Sequence, residues 1–392
     1  MFDYSKLLSK KAVDMKPSGI RKFFDILDEM KDVVSLTVGQ PDFKTPWHIR
    51  DAAIESLENS KTYYTSNSGL LEFREAICEY LYRRFDLKYE PKSEMIVTVG
   101  GSEAIDLAIR AIVEPGDEVL IVEPSYVCYV PITQLTGGKA VILQTYEKDN
   151  FKLTPETLKA AITPKTKLVV LPYPNNPTGG IMEKEDLEKI ADVLRNTNIA
   201  VLSDEIYGEL TYGQKHVSFA SLPGMKERTI LVGGFSKTYA MTGWRLGYVA
   251  APNEILKQML KIHQYAIMCA PTTSQFAGVA AARNGDEDIE YMAQSYNQRR
   301  KLILNGLAEI GLPCFEPKGA FYVFPNISEF GLSSEQFVER LLYEQGVAIV
   351  PGNAFGDSGE GFARISYAYS VDHINEALEK MDKFVTKLRN EQ

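Results

Sequence analysis

A lysine, an arginine, a carboxylate and an amide stand in short words that each follow an apolar run of the chain. Lys237 lies in LVGGFSKTYAMTGWRLGY, just past RTILV, and Arg245 comes eight residues later. A lysine amine is a weak nucleophile while protonated, but desolvation or neighbouring positive charge lowers its pKa. A guanidinium suits bidentate contact with a phosphate. Asp204 ends the run IAVLS, with Tyr207 three residues on in SDEIYG; a carboxylate there can pair with a cationic ring nitrogen or cap a turn. Asn176 in PYPNNPTGG can donate to a ligand oxygen or serve turn chemistry alone. Gly100-Gly101-Ser102 separates MIVTV from EAIDLAIRAIV, where backbone N–H groups at a helix start can bind phosphate. The word is neither GxGxxG nor GxxxxGK[ST], so it carries neither the nicotinamide fingerprint nor the P-loop pattern.

Singly, each feature has an ordinary structural explanation: a solvated lysine, a capping aspartate, a Gly-Gly turn. Jointly they assemble the partners of pyridoxal 5′-phosphate, with a lysine for the aldehyde, a carboxylate for the pyridinium, and donors for the phenolate and phosphate. Such a set works only if the fold brings it together. MIVTV precedes GGSEAIDLAIRAIV, EVLIV precedes a helix after Glu123-Pro124, and KLVVL, IAVLS and RTILV follow with helices such as EKEDLEKIADVL between them. These strands are continuous apolar runs, so both faces are buried. Buried strands alternating with helices predict a three-layer α/β/α domain around a mostly parallel sheet, with ligands beyond the carboxyl ends of the strands.

Other stretches complete the layout. RKFFDILDEM (21–30) has apolar residues at helical spacing, and VVSLTVGQPDFKTP reads as a short strand entering a Pro-rich loop. After about residue 285 a long amphipathic helix, DIEYMAQSYNQRRKLILNGLAEIG, leads to the strands AFYVFP, GVAIV and FARISYA. The expected division is an N-terminal segment 1–45 joining the small domain, a large domain 46–285, and a smaller α+β domain 286–392.

Composition narrows the function classes. The 392 residues carry 43 basic and 52 acidic side chains, a net charge of −9, which speaks against a general nucleic-acid or anionic-membrane binder. Hydrophobic residues at 45% and charged residues at 24% are globular values. Cys78, Cys128, Cys269 and Cys314 are far apart and form no CxxC pair, which fits a reduced cytoplasmic chain better than a disulfide scaffold or zinc site. The four histidines have no metal-ligand spacing, so no metal is expected. MFDYSKLLSKK lacks the apolar core of a signal peptide, and no apolar run reaches the length of a membrane span.

In order along the chain, VGQPDF, YYTSNSGLLEFREAI, VTVGGSEAI, PNNPTG, SDEIY, SKTYAMTGWRLGY and FARIS resemble the class I/II aminotransferases of fold type I, over almost the whole length. The chain is most similar to the bacterial branch that acts on N-acetyl-diaminopimelate, aspartate or aromatic amino acids. The resemblance implies a PLP-dependent transaminase in which Lys237 is the Schiff-base lysine and Asp204 pairs with the pyridine nitrogen. It gives Tyr207 and Asn176 to the cofactor's O3′, and Arg245 with the backbone of Gly101, Ser102 and Glu103 to its phosphate. Tyr126 matches the residue stacked on the ring, Arg364 the arginine for the substrate α-carboxylate, and Gly39 the glycine bordering the substrate. Tyr64 matches a tyrosine that reaches the neighbouring subunit's phosphate, which implies a homodimer with shared sites. Many relatives carry a hydroxyl residue where this chain has Gly234, and Ser236 is expected to supply a phosphate hydroxyl instead. Some aspartate-selective relatives carry a lysine where this chain has Ser102. Ile20, Ser102 and Tyr322 are candidates for the donor side-chain pocket.

The expected reaction is ping-pong transfer from an L-amino acid to a 2-oxo acid, with 2-oxoglutarate as the acceptor that the resemblance implies. A PLP-dependent carbon–sulfur β-lyase is the alternative on the same fold and lysine. A non-enzymatic regulator with an aminotransferase-like domain is a third class, disfavoured by the acidic charge, and the absent fingerprint disfavours a nicotinamide dehydrogenase.

Overall fold

Seven strands form the central sheet of the computed structural model, which describes residues 2–15, Pro17 and 32–391. The expected helix over 21–30 and Ile20 lie outside the described residues. The strands are β2 (Met95–Thr98), β3 (Glu118–Glu123), β4 (Lys139–Gln144), β5 (Thr166–Leu171), β6 (Ala200–Asp204), β7 (Thr229–Gly234) and β8 (Gly247–Ala250), in the order β2-β8-β7-β6-β5-β3-β4. Neighbours from β7 through β4 run parallel, while β8 is antiparallel to both β7 and β2. The chain enters β8 from the short segment after β7 and not through a crossover helix, so it returns in the opposite direction. The sheet is therefore mostly parallel, with one reversed strand inside it.

Alternate side chains of the buried strands go to opposite faces. Ile230 and Val232 of β7 pack with the helix Gly100–Ile112, whereas Leu231 packs with the helices Leu71–Phe85 and Thr272–Asn284. Val119 and Ile121 of β3 go with the first group; Leu120 and Val122 join a core closed by the helix Lys184–Leu194. A period of two with apolar residues at every position is what a sheet covered on both faces requires. The edge strand β4 is mostly exposed or half-buried.

A second core lies under the helices Asp286–Glu309, Ser334–Gln345 and Val371–Glu391. Its three-stranded antiparallel sheet has the order β11 (Val350–Pro351), β12 (Ala363–Ser366), β9 (Tyr322–Val323). A separate parallel pair joins β1 (Val34–Ser35) to β10 (Val347–Ala348). The run GVAIV thus splits into two strands of two different sheets. Tyr207, Leu210 and Tyr212, which follow β6, pack into this second core and join it to the central sheet. Among the described residues no helix is long and apolar enough to cross a membrane.

Candidate active site

The parallel strands deliver their carboxyl ends to one edge of the sheet, and the chemistry-bearing words follow those ends. Asp204 is the last residue of β6, Lys237 lies in the helical turn Phe235–Thr238 after β7, and Gly101 and Ser102 open the helix after β2. Because β8 runs the other way, its first residues lie at this same edge, which is how Arg245 arrives beside the others. The second core contributes Tyr322 from β9 and Arg364 from β12, and the stretch 37–40 crosses between them. Together they enclose a cavity of about 370 Å³ whose described lining includes the cationic side chains Lys237, Arg245 and Arg364 and the carboxylate of Asp204.

Lys237 Nζ donates to the Gly39 carbonyl at 2.6 Å. Burial, reinforced by the positive charges of Arg364 and Arg245, lowers its pKa to about 8, so a neutral amine is accessible near physiological pH. Asp204 is buried and its pKa is raised to about 6 by that burial. Two hydrogen bonds to the carboxylate work against the rise: Tyr129 Oη donates to Oδ2 at 2.7 Å and the Ile206 N–H to Oδ1 at 3.2 Å. The adjacent Glu205 is satisfied elsewhere, by Ser203, Ser218 and His216, so of the two neighbouring carboxylates only Asp204 faces the cavity.

Arg364 is buried on β12 without a carboxylate partner among the described residues. Its Nη1 donates to Asn176 Oδ1 at 3.0 Å and its Nη2 to the Thr37 carbonyl at 2.5 Å, while Nε has no hydrogen-bond partner among the described residues. The guanidinium carbon lies 4.6 Å from the Tyr322 ring centre and 4.8 Å from that of Phe355. A buried cation without an anion is costly, and burial lowers its pKa from the usual arginine value. An incoming carboxylate would remove that cost.

At the other end of the cavity, Arg245 donates to the Thr242 carbonyl at 3.1 Å, and no carboxylate pairs with it among the described residues. A Cβ at Gly100, whose φ is +74°, would lie 2.6 Å from Arg245 Nη2, and one at Gly247 would lie 2.6 Å from the Gly100 carbonyl carbon. Glycine at both places lets Arg245 and the helix start close on the same point, an arrangement suited to a phosphate. Ser236 is buried in the cavity wall, whereas a side chain at Gly234 would meet Ile206 Cδ1 at 2.6 Å, so this fold has no room there for a hydroxyl residue without a shift.

Of the residues expected from sequence, Gly39, Gly101, Ser102, Tyr126, Asn176, Asp204, Tyr207, Ser236, Lys237, Arg245 and Arg364 line this one cavity, as does Tyr322. Two do not. Glu103 turns its carboxylate to the Val99 N–H at 2.5 Å and His263 Nδ1 at 2.7 Å, bracing the helix start from behind. Tyr64 is 78% exposed and is not among the residues that line its own chain's cavity. Sequence reasoning missed Tyr129, which holds Asp204, and the Thr37 carbonyl, which holds Arg364. No word marks a backbone acceptor, and Tyr129 lies only three residues past Tyr126 on the helix that starts there.

The family description Aminotransferase class I and II matches residues 31–381. A Bacillus subtilis protein named as an aminotransferase is 53% identical over 97% of this chain and 98% of its own. An aspartate aminotransferase from Pyrococcus abyssi is 47% identical over 94% of this chain and 96% of its own. The crystal structure of an aromatic aminotransferase from Pyrococcus horikoshii superposes with a TM-score of 0.89 at 45% identity, covering 93% of this chain and 99% of that one.

Proposed function

The chain belongs to the class I and II aminotransferases, which depend on pyridoxal 5′-phosphate, and on that footing we propose that its cavity moves an amino group from an L-amino acid to a 2-oxo acid, with 2-oxoglutarate as the acceptor. The observation that carries the reading is Arg364: a buried guanidinium with an unpartnered Nε, in the same cavity as a lysine whose pKa is about 8.

The residues present fit the cofactor. Asp204 would take the pyridine nitrogen, Arg245 with Ser236 and the helix start at Gly101 and Ser102 the phosphate, Asn176 and Tyr207 the phenolic oxygen, and Tyr126 the ring face. Lys237 supplies the amine for the aldehyde. When bound, the cofactor supplies an electron sink for the charge that develops at the substrate Cα. Arg364 binds the α-carboxylate and fixes which bond at Cα faces Lys237. Lys237 Nζ takes the Cα proton and returns it, a role served by an amine that burial has made less basic. Asp204 stays ionised because the Tyr129 hydroxyl and the Ile206 N–H both bond its charged form. Since donor and acceptor each present a carboxylate next to the reacting carbon, one arginine serves both in turn, and the first product leaves before the second substrate enters.

The unit is a homodimer with shared sites. Supporting this, Tyr63 and Tyr64 are exposed beside Ile267 and Met268, with Asn67 bonded to the Met268 carbonyl and Thr272 to that of Tyr63. This apolar face would carry Tyr64 to the partner's phosphate pocket. No observation favours the β-lyase alternative. A panel of amino donors with 2-oxoglutarate, followed by glutamate formation and compared with pyruvate release from cystathionine, tests the reading: glutamate should dominate, and pyruvate without glutamate would overturn it.

A further inference from the structure

Tyr322 is fully buried, yet it touches two groups at opposite ends of the proposed chemistry. The β9–β12 register sets Tyr322 opposite Ser366, so Arg364, two residues earlier on β12, is its diagonal neighbour on the same face. Aromatic and long side chains meet across that diagonal, and the Tyr322 ring covers the Arg364 guanidinium at 4.6 Å. The phenol then reaches out of its own sheet. Its Oη lies 2.8 Å from Tyr207 Oη, and it fills the space that a Cβ at Gly39 would need.

The direction of the Tyr207–Tyr322 hydrogen bond follows from the reading that places Tyr207 against the cofactor's phenolic oxygen. Each hydroxyl is the other's only described partner and both side chains line the cavity, so the protein alone is satisfied equally by either direction. Were Tyr207 the donor to Tyr322, its single proton would be withheld from the cofactor's oxygen; a phenol has one proton to give, so a Tyr207 that donates to the ligand can only accept from Tyr322. With Tyr322 donating, its proton is satisfied and the Tyr207 proton is left for the cavity.

We infer that Tyr322 is a positioning residue with two separable parts: its ring holds the plane of the Arg364 guanidinium, and its hydroxyl donates to Tyr207 so that Tyr207 presents its own proton to the ligand. The inference rests on the reading in which Arg364 takes the substrate carboxylate and Tyr207 faces the cofactor's phenolic oxygen. A donor polarised by a second donor binds an anionic oxygen more strongly, so loss of the Tyr322 hydroxyl makes that oxygen easier to protonate.

The test uses holoenzyme of the wild type and of Tyr322→Phe, Tyr322→Leu and Tyr207→Phe, titrating the visible absorbance of the bound cofactor against pH and measuring kcat and KM for both substrates. Tyr322→Phe keeps the ring; its absorbance midpoint should move to higher pH by up to about one unit, with lower kcat and both KM values within about twofold of wild type. Tyr322→Leu should show the same spectral shift and add a rise on the order of tenfold in KM for donor and acceptor together. Tyr322→Met replaces it if the leucine variant does not fold. A wild-type midpoint in Tyr322→Phe, where Tyr207→Phe does shift it, overturns the hydroxyl part. Equal KM values in the phenylalanine variant and the ring-less variant overturn the ring part. If Tyr207→Phe leaves the midpoint unmoved as well, the placing of Tyr207 against the cofactor falls, and the hydroxyl part with it.

Discussion

Replacing Arg364 with methionine separates function from stability in a way the structure makes quantitative. A guanidinium carries five N–H donors. One on Nη1 is used by Asn176 and one on Nη2 by the Thr37 carbonyl, which leaves the Nε–H and one further N–H on each terminal nitrogen. Two of these suffice for a bidentate carboxylate. At about 1.5–3 kcal/mol for each charge-assisted bond, discounted for non-additivity, the loss is roughly 3–4 kcal/mol, or about 10²–10³-fold in kcat/KM. The fold should lose little. The variant removes a buried cation that has no anion among the described residues, which offsets the two acceptors left without their donor, so Tm of the ligand-free protein should change by only about 2–4 °C or less. The assay is kcat/KM for donor and acceptor separately, with thermal unfolding alongside. A penalty confined to one substrate, or a collapse of Tm that accounts for the lost activity, would refute the assignment of Arg364 to a shared carboxylate site.

Further outcomes follow from the same cavity. Asp204→Asn should keep the fold and the Tyr129 contact but lose roughly 10²–10³-fold in kcat, because an amide cannot hold a cationic ring nitrogen; an unchanged kcat would reduce Asp204 to a turn cap. Lys237 titrates near 8 in the folded protein and near 10.5 when free, so the unfolded chain binds the extra proton between those values. Its burial therefore costs stability in full below about pH 8, and the cost fades as the pH rises towards 10.5. Cofactor-free Lys237→Met should accordingly unfold at a higher temperature than cofactor-free wild type at pH 7, with the gap closing by about pH 10; a gap independent of pH would contradict that origin. Mixing Lys237→Ala subunits with Tyr64→Phe subunits should restore near-wild-type activity in one site of each hybrid dimer, and confirmed exchange without restored activity would place Tyr64 in its own chain's site.

Much of the architecture was legible because β2, β3, β5, β6 and β7 are uninterrupted apolar runs punctuated by helices. What escaped was set by tertiary context. KAVILQ forms β4 at the sheet edge, where exposure dilutes the apolar signal. GYVA forms the reversed strand β8, and a strand's direction is a property of its connection and partners, not of its residues. That reversal brings Arg245 to the site, so the spacing of Arg245 from Lys237 encodes a hairpin-like return that periodicity alone does not reveal. In the site, side chains in compact words were readable, whereas the Thr37 carbonyl acts through its backbone. Tyr322 was legible only as a pocket candidate, since its contacts depend on the β9–β12 register. Glu103 is a different case: the resemblance assigns its backbone to the phosphate, and its carboxylate, about which the word says nothing, is turned to His263.

The central claim is that Lys237 carries amino-group transfer in this cavity, and a single-turnover half-reaction examines it without the complication of a second substrate. Holoenzyme is mixed with an accepted amino donor in the absence of any 2-oxo acid, and cofactor absorbance and released 2-oxo acid are followed together. Wild type should change its spectrum once and release one equivalent of 2-oxo acid per subunit, while Lys237→Ala loaded with the same cofactor should do neither at a comparable rate. Wild-type release in Lys237→Ala protein free of wild-type contamination, or release from the wild type that continues well past one equivalent without an acceptor, would contradict the account.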